Sequence, residues 1–469
     1  MPASTVTVIG AGLAGLSAAC ALADAGYKVS LLERRPYVGG RASSYEHPGT
    51  GEIIDNCQHV LIGRCTNLID LYRRFGALDA IRWYDHFTFI EPGGRRTLLQ
   101  PSVLPAPLHT SLSFLRAPAF SLTDKLAIAR GMSAFLTGIP ADTDENFAHW
   151  LARHSQTPRA IQRFWHPVLV SALNEDLDRI SVKYAGKVFR ESFLLSPEAG
   201  RMGIPSVPLS DLYGRAIDYL QTRGGEVHLR TSAEAIEPVD PTEPDTGWII
   251  RSGNRTFTAD AIVLALSFEA LAALLPKLPR NAESENLAAD LAQFEHSPIT
   301  GIHLWFDREI TELEHAVLLD TTIQWLFNKS KLQPAHREQQ ESYIELVVSS
   351  SKSLVPMPRQ EIIDLALREL AQFFPAVTSA KPVKAAVVKE VRATYSVRPL
   401  LDRIRPSAES PWPGIYLAGD WTATGWPSTM EGAVRSGYLA AEALASASGE
   451  ATPFLVPDLP HVGLMRLFP

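Results

Sequence analysis

Residues 6 to 41, VTVIGAGLAGLSAACALADAGYKVSLLERRPYVGGR, read without a break as strand, glycine turn, helix, strand and second glycine turn. Val6, Val8 and Ile9 make a short buried strand. Gly10, Gly12 and Gly15 then supply the tight turn, the close backbone approach and the helix–strand contact of the pattern G-x-G-x-x-G. The helix that follows is paved with Ala14, Ala18, Ala19 and Ala21, so it can lie close to a sheet, and Gly26 is placed to end it. A second strand returns over residues 27–32 and closes on Glu33. The helix N-terminus offers free N–H groups and a positive dipole end to a pyrophosphate, while the Glu33 carboxylate accepts from both ribose hydroxyls. A carboxylate there argues against a 2′-phosphate. The stretch predicts an α/β protein with a Rossmann-like dinucleotide-binding domain.

With 469 residues the chain is too long for one core and long enough for two domains. Its net charge of -7, with no long Lys/Arg cluster, gives no reason to expect nucleic acid. Cys20, Cys57 and Cys65 have no C-x-x-C spacing, which points to a reducing compartment and to no metal site. The first strand begins within a few residues of Met1, and no apolar run approaches the roughly 20 residues of a membrane span. A cytoplasmic protein is expected, with peripheral contact on the inner face of the cell membrane left open.

Further along, EIIDNCQHVLIG at 52–63 begins as a buried strand and then places Asp55, Cys57, Gln58 and His59 where apolar alternation is expected, and polar residues in such a strand need a reason. Residues 66–79 read as an amphipathic helix and 83–94 as an aromatic-rich hairpin turning at Pro92-Gly93-Gly94. Residues 98–140 are unusually apolar. Leu104, Leu108, Leu112, Phe114, Leu115 and Phe120 there suit either the core of a helical subdomain or a lipophilic mouth or membrane face. Helical patterning continues over 144–193. A helix at 212–222 and strands at 227–229, 248–250 and 261–265 follow, with a proline- and acid-rich break at 238–247. Strands at 301–306, 323–327 and 343–348 and a helix at 361–374 predict a second sheet.

GIYLAGDWTATGWPSTMEGAVRSG at 414–437 is the second strong signal: a strand ends in Gly419-Asp420 and a helix starts after Pro427, with Ser428 as N-cap and Glu431 as the partner of a capping box. Together with Gly39-Gly40-Arg41, a second glycine turn carrying a cation, this resembles the flavin amine oxidase and phytoene desaturase superfamily. GRASS at 40–44, DNCQHVLIG at 55–63 and GDWTATGWPSTMEGAVRSG at 419–437 look like its squalene-associated members, the hydroxysqualene dehydroxylases.

The resemblance implies non-covalent FAD on a fold like that of GDP-dissociation inhibitor and the amine oxidases, with an inserted α+β substrate domain and a helical cap. Residues 1–82, 206–275 and 386–449 would form the FAD-binding domain, 83–205 and 276–385 the substrate domain and cap, and 450–469 a tail. Cofactor contacts are implied at Gly10, Ala11, Gly12, Leu13, Ala14 and Gly15, at Glu33 and Arg34, and at Gly39, Gly40, Arg41 and Ala42. Further along, Gln58 and His59 would pass the isoalloxazine ring, Ala233 the adenine, and Gly419 and Asp420 the ribityl or phosphate region. Thr429, Met430 and Ala433 would bring the closing helix to the flavin pyrimidine edge. Reductive removal of a hydroxyl from hydroxysqualene would need an apolar channel and an acid near that hydroxyl, for which Asp55 and His59 are the candidates. A carotenoid-type desaturase needs the same flavin and channel and no acid. An amine oxidase is disfavoured by Thr429 where members commonly carry an aromatic, and a prenyl-chain carrier on the same fold would need no flavin. With one dinucleotide fingerprint, the expected partners are a lipophilic isoprenoid and an external electron donor or reductase.

Overall fold

The computed structural model describes residues 4–240, 242, 246–336, 341–450 and 452–468. Part of the expected break, residues 241 and 243–245, therefore lies outside the described residues. The first sheet has five parallel strands in the order Glu226–His228, Lys28–Leu32, Thr5–Ile9, Ala261–Leu264 and Ile415–Leu417. The fingerprint strand Thr5–Ile9 lies at its centre. Helices cover a parallel sheet on its faces, so its strands carry nearly continuous apolar residues: Val6, Val8, Ile262, Val263 and Leu264 are all buried.

The fingerprint helix Leu13–Asp24 is buried at every residue from Leu13 to Ala23, because the closing helix Met430–Ala447 crosses its outer side. Small residues make that crossing close. A methyl on Gly437 would stand 2.1 Å from the Ala14 carbonyl oxygen, and Ser17 Oγ donates to the Val434 carbonyl at 3.1 Å. The two motif-bearing ends of the chain thus meet helix to helix.

The second sheet has seven strands in the order Pro382–Tyr395, His296–Phe306, Ser342–Ser349, Trp325–Asn328, His315–Leu318, Phe87–Ile90 and Arg96–Leu99. Helix Arg359–Phe373 lays Ile362, Ala366 and Leu370 against Ile302, Leu304 and Leu346. Three expectations are corrected. The hairpin runs from Phe87 to Leu99, while the strand Ile81–Tyr84 pairs instead with Met202–Pro205. The boundary at residue 386 falls inside Pro382–Tyr395, which stays in the substrate sheet to its end because His296–Phe306 pairs along it. The boundary near 205 separates Met202–Pro205 from the cofactor-side strand Leu61–Ile62 with which it pairs.

The cap helices Leu122–Ser133, Phe147–Arg153, His166–Leu173 and Val182–Phe189 share an aromatic core. Trp150 stacks on Phe135 and Phe147 with centroids 4.9 and 5.0 Å apart, and Trp165 meets Phe189 edge-on at 4.6 Å. The apolar segment at 98–140 divides: Ala106, Phe120, Ile128 and Phe135 are core, while Val103, Leu108, Leu112, Leu115, Leu122 and Leu126 are exposed. The C-terminal tail is tied down along its length. Arg64 donates to the Leu459 carbonyl at 2.8 Å, and Leu464 N–H to the Ala106 carbonyl at 2.8 Å.

Candidate cofactor and substrate site

The cradle for a dinucleotide is built by two glycine turns pressed together. Gly39 N–H donates to the Ala11 carbonyl at 2.8 Å, and a methyl on Gly40, whose φ is +64°, would stand 2.9 Å from Gly12 Cα. At Gly10, φ +103°, a methyl would strike the Ala265 carbonyl oxygen at 2.4 Å. Gly12 caps the fingerprint helix without any side-chain hydrogen bond, so the N–H groups of its first turn, from Leu13 to Gly15, are left for a ligand. Glu33, buried, accepts from Ala11 N–H and Arg35 N–H at 2.8 Å each, which fixes the carboxylate at the end of the second strand. Arg34 is exposed beside it, and Arg35 makes the inward contact, to the Gly40 carbonyl at 2.7 Å. Ala42 closes the second turn through a 3.1 Å bond to the Gly39 carbonyl. Ala233 sits half-buried just beyond Thr231, whose N–H bonds the Glu33 carbonyl at 2.8 Å. A cradle that a methyl would fill and an uncapped helix end suit the pyrophosphate of FAD.

Arg41 pairs with Asp420, so the cation of the second turn and the acid of the closing motif act as one unit. Burial opposes the charge on Asp420, but Arg41, Ser428 and Arg405 together outweigh it and hold the carboxyl below the usual range. Gly419 N–H is taken by Ser436 Oγ at 2.8 Å, and Met430 Sδ accepts from Tyr213 at 3.5 Å. Thr429, Met430 and Ala433 are half-buried at the start of the closing helix. The expected capping box is corrected here. The N-cap is Thr429, whose hydroxyl accepts from Gly432 N–H at 3.0 Å. Ser428 turns away to donate to Asp420. Glu431 caps a different helix, Thr66–Arg74, accepting from Leu68 N–H at 2.8 Å and Asn67 Nδ2 at 3.0 Å. That neighbouring helix lacks a capping side chain of its own, which is why the carboxylate goes there.

The strap of residues 56–59 follows the strand Ile53–Asp55. Asp55 is buried and accepts from Ser44 Oγ at 2.6 Å, Leu209 N–H at 3.1 Å and Lys329 Nζ at 2.6 Å. Burial works against its charge, but Lys329 and the Ser44 and Leu209 hydrogen bonds together outweigh it, holding the carboxyl below its ordinary range. Asp55 is therefore a fixed carboxylate, contrary to its expected role as the acid. His59 Nδ1 lies 2.7 Å from the Cys57 carbonyl, which makes that nitrogen the protonated one, and burial pushes the ring below the usual imidazole range. A neutral imidazole is a poor acid, so the second candidate is corrected with the first. Gln58 bridges the strap, donating to the His59 carbonyl at 2.9 Å and accepting from Lys329 at 2.9 Å. Cys57 packs with Tyr84, Met202, Ile204 and Phe327. Strand His296–Phe306 comes down on the strap at Gly301, where a methyl would stand 3.3 Å from the Asn56 carbonyl oxygen.

Between the Phe87–Leu99 hairpin and the cap lies a cavity of about 240 Å³ lined by Phe87, Leu99, Phe114, Met132, Phe164 and Phe193, among others. Phe87 also packs on the cluster that contains Cys57, Tyr84, Met202 and Phe327, so the cavity wall and that cluster share one side chain.

Lys329 and Glu345 were not among the expected site residues. Glu345 carried a signal, a charge inside the apolar run 343–348 of the buried strand Ser342–Ser349, whereas Lys329, in the polar run Asn328-Lys329-Ser330-Lys331, carried none.

The family described as flavin containing amine oxidoreductase matches residues 13–445 of this chain. Among curated proteins, the chain is 29% identical over 457 residues to a 15-cis-phytoene desaturase of Narcissus pseudonarcissus, covering 94% of this chain and 79% of that one. It is 28% identical over 480 residues to a probable zeta-carotene desaturase of Synechococcus elongatus, covering 94% and 98%. Among solved structures, an oxidoreductase from Methanosarcina mazei superposes with TM-score 0.72 at 17% identity, over 92% of this chain and 98% of that one. Cyclohexylamine oxidase from Brevibacterium oxydans gives 0.64 at 21% identity, over 96% and 100%. With the paired glycine turns and uncapped helix in place, the chain belongs to the flavin containing amine oxidoreductase family and takes FAD as its cofactor.

Proposed function

We propose that this oxidoreductase desaturates a long acyclic isoprenoid. One observation carries the reading: an apolar cavity shares Phe87 with the cluster that holds Cys57, and the nearby polar groups are held as a carboxylate, Asp55, and a neutral ring, His59. Removing two hydrogens from a hydrocarbon sends a hydride to the acceptor and a proton to a base or to solvent, so it needs a dry, greasy channel and no acid at the carbon being oxidised. FAD, when bound, supplies the two-electron acceptor. The chain's own residues bind, orient and exclude water: Phe114, Phe164 and Phe193 shape the cavity, and Phe87 forms its inner wall. The similarity to two carotenoid desaturases over 94% of the chain supports the substrate class.

Exposed leucines stand on the segments that line the cavity. Leu108 lines the cavity and is 45% exposed, Leu112 and Leu115 share its neighbouring helix, and Leu122 and Leu126 stand on the helix that contributes Met132 to the wall. Arg116 and Arg130 are exposed on the same two helices. This face suits a lipid bilayer from which the hydrocarbon enters. With one dinucleotide fingerprint in the sequence, the redox partner that closes the cycle is external.

Reductive dehydroxylation of hydroxysqualene is the second reading. The motif at 419–437 favours it, and its acid would have to come from Glu345, the carboxyl of this region that burial pushes up to about 7. Two anaerobic incubations decide between the readings. Oxidised holoprotein with 15-cis-phytoene is expected to yield a product with one more double bond. Reduced holoprotein with hydroxysqualene is expected to leave it unchanged. Squalene from the second and no product from the first would reverse the order.

A further inference from the structure

Three charged side chains are buried behind the strap: Asp55, Lys329 and Glu345 are 2%, 1% and 0% exposed. Two carboxyl groups share one ammonium, so full ionisation would leave an uncompensated negative charge in the interior. The geometry decides which carboxyl keeps its proton. Asp55 receives three donors at 3.1 Å or less. Glu345 has only weaker donors, the Lys329 ammonium at 3.3 Å and the Gln58 N–H of the strap, neither in full hydrogen-bond geometry. Directly across the sheet from Glu345 lies His303, whose Nδ1 pairs with the Tyr343 hydroxyl at 2.7 Å.

We propose that Glu345 is the proton-carrying group behind the flavin-facing strap, and that Lys329 is the positioning residue that couples it to Gln58. The proposal rests on the reading of residues 56–59 as flavin-facing and not on the identity of the substrate. Lys329 is held on two sides by hydrogen bonds to Asp55 and Gln58, and its third side faces the Glu345 carboxyl at 3.3 Å. With Glu345 protonated the cluster is neutral. When Glu345 loses its proton to solvent, the cluster carries one net negative charge, the ammonium is drawn from Gln58, and electrons are less welcome on the flavin. The titratable groups facing Glu345 are Lys329, Asp55, Cys57, Tyr343 and His303. Burial raises the Cys57 thiol and Tyr343 phenol well above their ordinary values and lowers His303 to about 3, while Asp55 is held low and Lys329 high. Glu345 titrates alone among them near neutrality.

The test is the flavin midpoint potential of the substrate-free holoprotein from about pH 5.5 to 9, for wild type, Glu345→Gln, Lys329→Met and Lys329→Arg. Wild type is expected to show an extra pH-dependent segment near neutrality. Glu345→Gln, fixed neutral, is expected to lose that segment and to keep the higher potential at alkaline pH. Lys329→Met is expected to shift the flavin absorption bands, with Lys329→Arg restoring them in part. A profile for flavin-loaded Glu345→Gln that superimposes on wild type would overturn the proposal, as would an unshifted spectrum in Lys329→Met. Should a variant fail to hold flavin, reduced-minus-oxidised infrared spectra of the wild type decide. A protonated carboxyl band that moves in D2O is expected, and its absence overturns the proposal. Neither readout involves an isoprenoid, so failure of the desaturase reading leaves this result standing.

Discussion

Lys329 Nζ stands 2.6 Å from Asp55 Oδ2 across 274 residues of sequence, joining the substrate sheet to the strap of the cofactor domain with both side chains buried. Breaking one side of such a pair leaves an unpaired buried charge. Lys329→Met is expected to destabilise the fold by roughly 3–5 kcal/mol. Asp55→Asn with Lys329→Met is expected to recover a large part of that loss. Urea unfolding of Lys329→Met, Asp55→Asn and the double variant checks it, and a fully additive double variant would remove the pair from the account.

Glu345 gives stability a pH dependence of definite sign. Its folded pKa is raised to about 7, so the folded chain binds more protons than the unfolded one between the ordinary carboxyl value and neutrality. Its contribution is present below that window and is lost as pH rises through about 7, on the order of 3 kcal/mol in all. Asp55 has the opposite sign: its stabilisation is present above the unfolded carboxylate value and is lost as pH falls through its lowered folded pKa. Unfolding free energies measured at mildly acid and mildly alkaline pH are expected to differ less in Glu345→Gln than in wild type.

Glu33→Ala and Asp420→Ala are each expected to weaken FAD retention by roughly 10- to 100-fold, as loss of a charged acceptor predicts. The first frees the Ala11 and Arg35 N–H groups, and the second releases Arg41 and Ser428. Flavin content after gel filtration reads the effect, and full stoichiometric flavin in both variants contradicts it.

Gly437→Ala places a methyl 2.1 Å from both the Ala14 carbonyl oxygen and Ser17 Oγ at the crossing of the fingerprint and closing helices. A loss of about 1–3 kcal/mol is expected from overpacking. Thr429→Ala, which removes a cap, is expected to cost about 1 kcal/mol. Thermal unfolding ranks the two.

Replacing Leu115, Leu122 and Leu126 together with Ser is expected to reduce flotation with phospholipid vesicles and leave flavin content unchanged, because these side chains are 60–68% exposed. Equal flotation would remove the membrane face.

The cofactor cradle was legible because its parts are contiguous: the turn at Gly10, the helix and Glu33 lie within 25 residues and depend on local geometry. The ion cluster was not, since Asp55, Lys329 and Glu345 meet only when two sheets dock. The sequence showed that Asp55 needed a reason, yet the Lys329 partner that turned it from acid into fixed carboxylate stood far along the chain. The cap of the closing helix was misread for a related reason. Ser428 and Thr429 are both competent N-caps, and the choice fell to Thr429 because Asp420 claims Ser428.

Single-turnover mixing of oxidised holoprotein with 15-cis-phytoene in lipid vesicles, without air, tests the central claim most directly. The account predicts bleaching of the flavin matched by one new double bond per flavin. An unchanged flavin spectrum, with reduced holoprotein instead reoxidised by hydroxysqualene to give squalene, would contradict it.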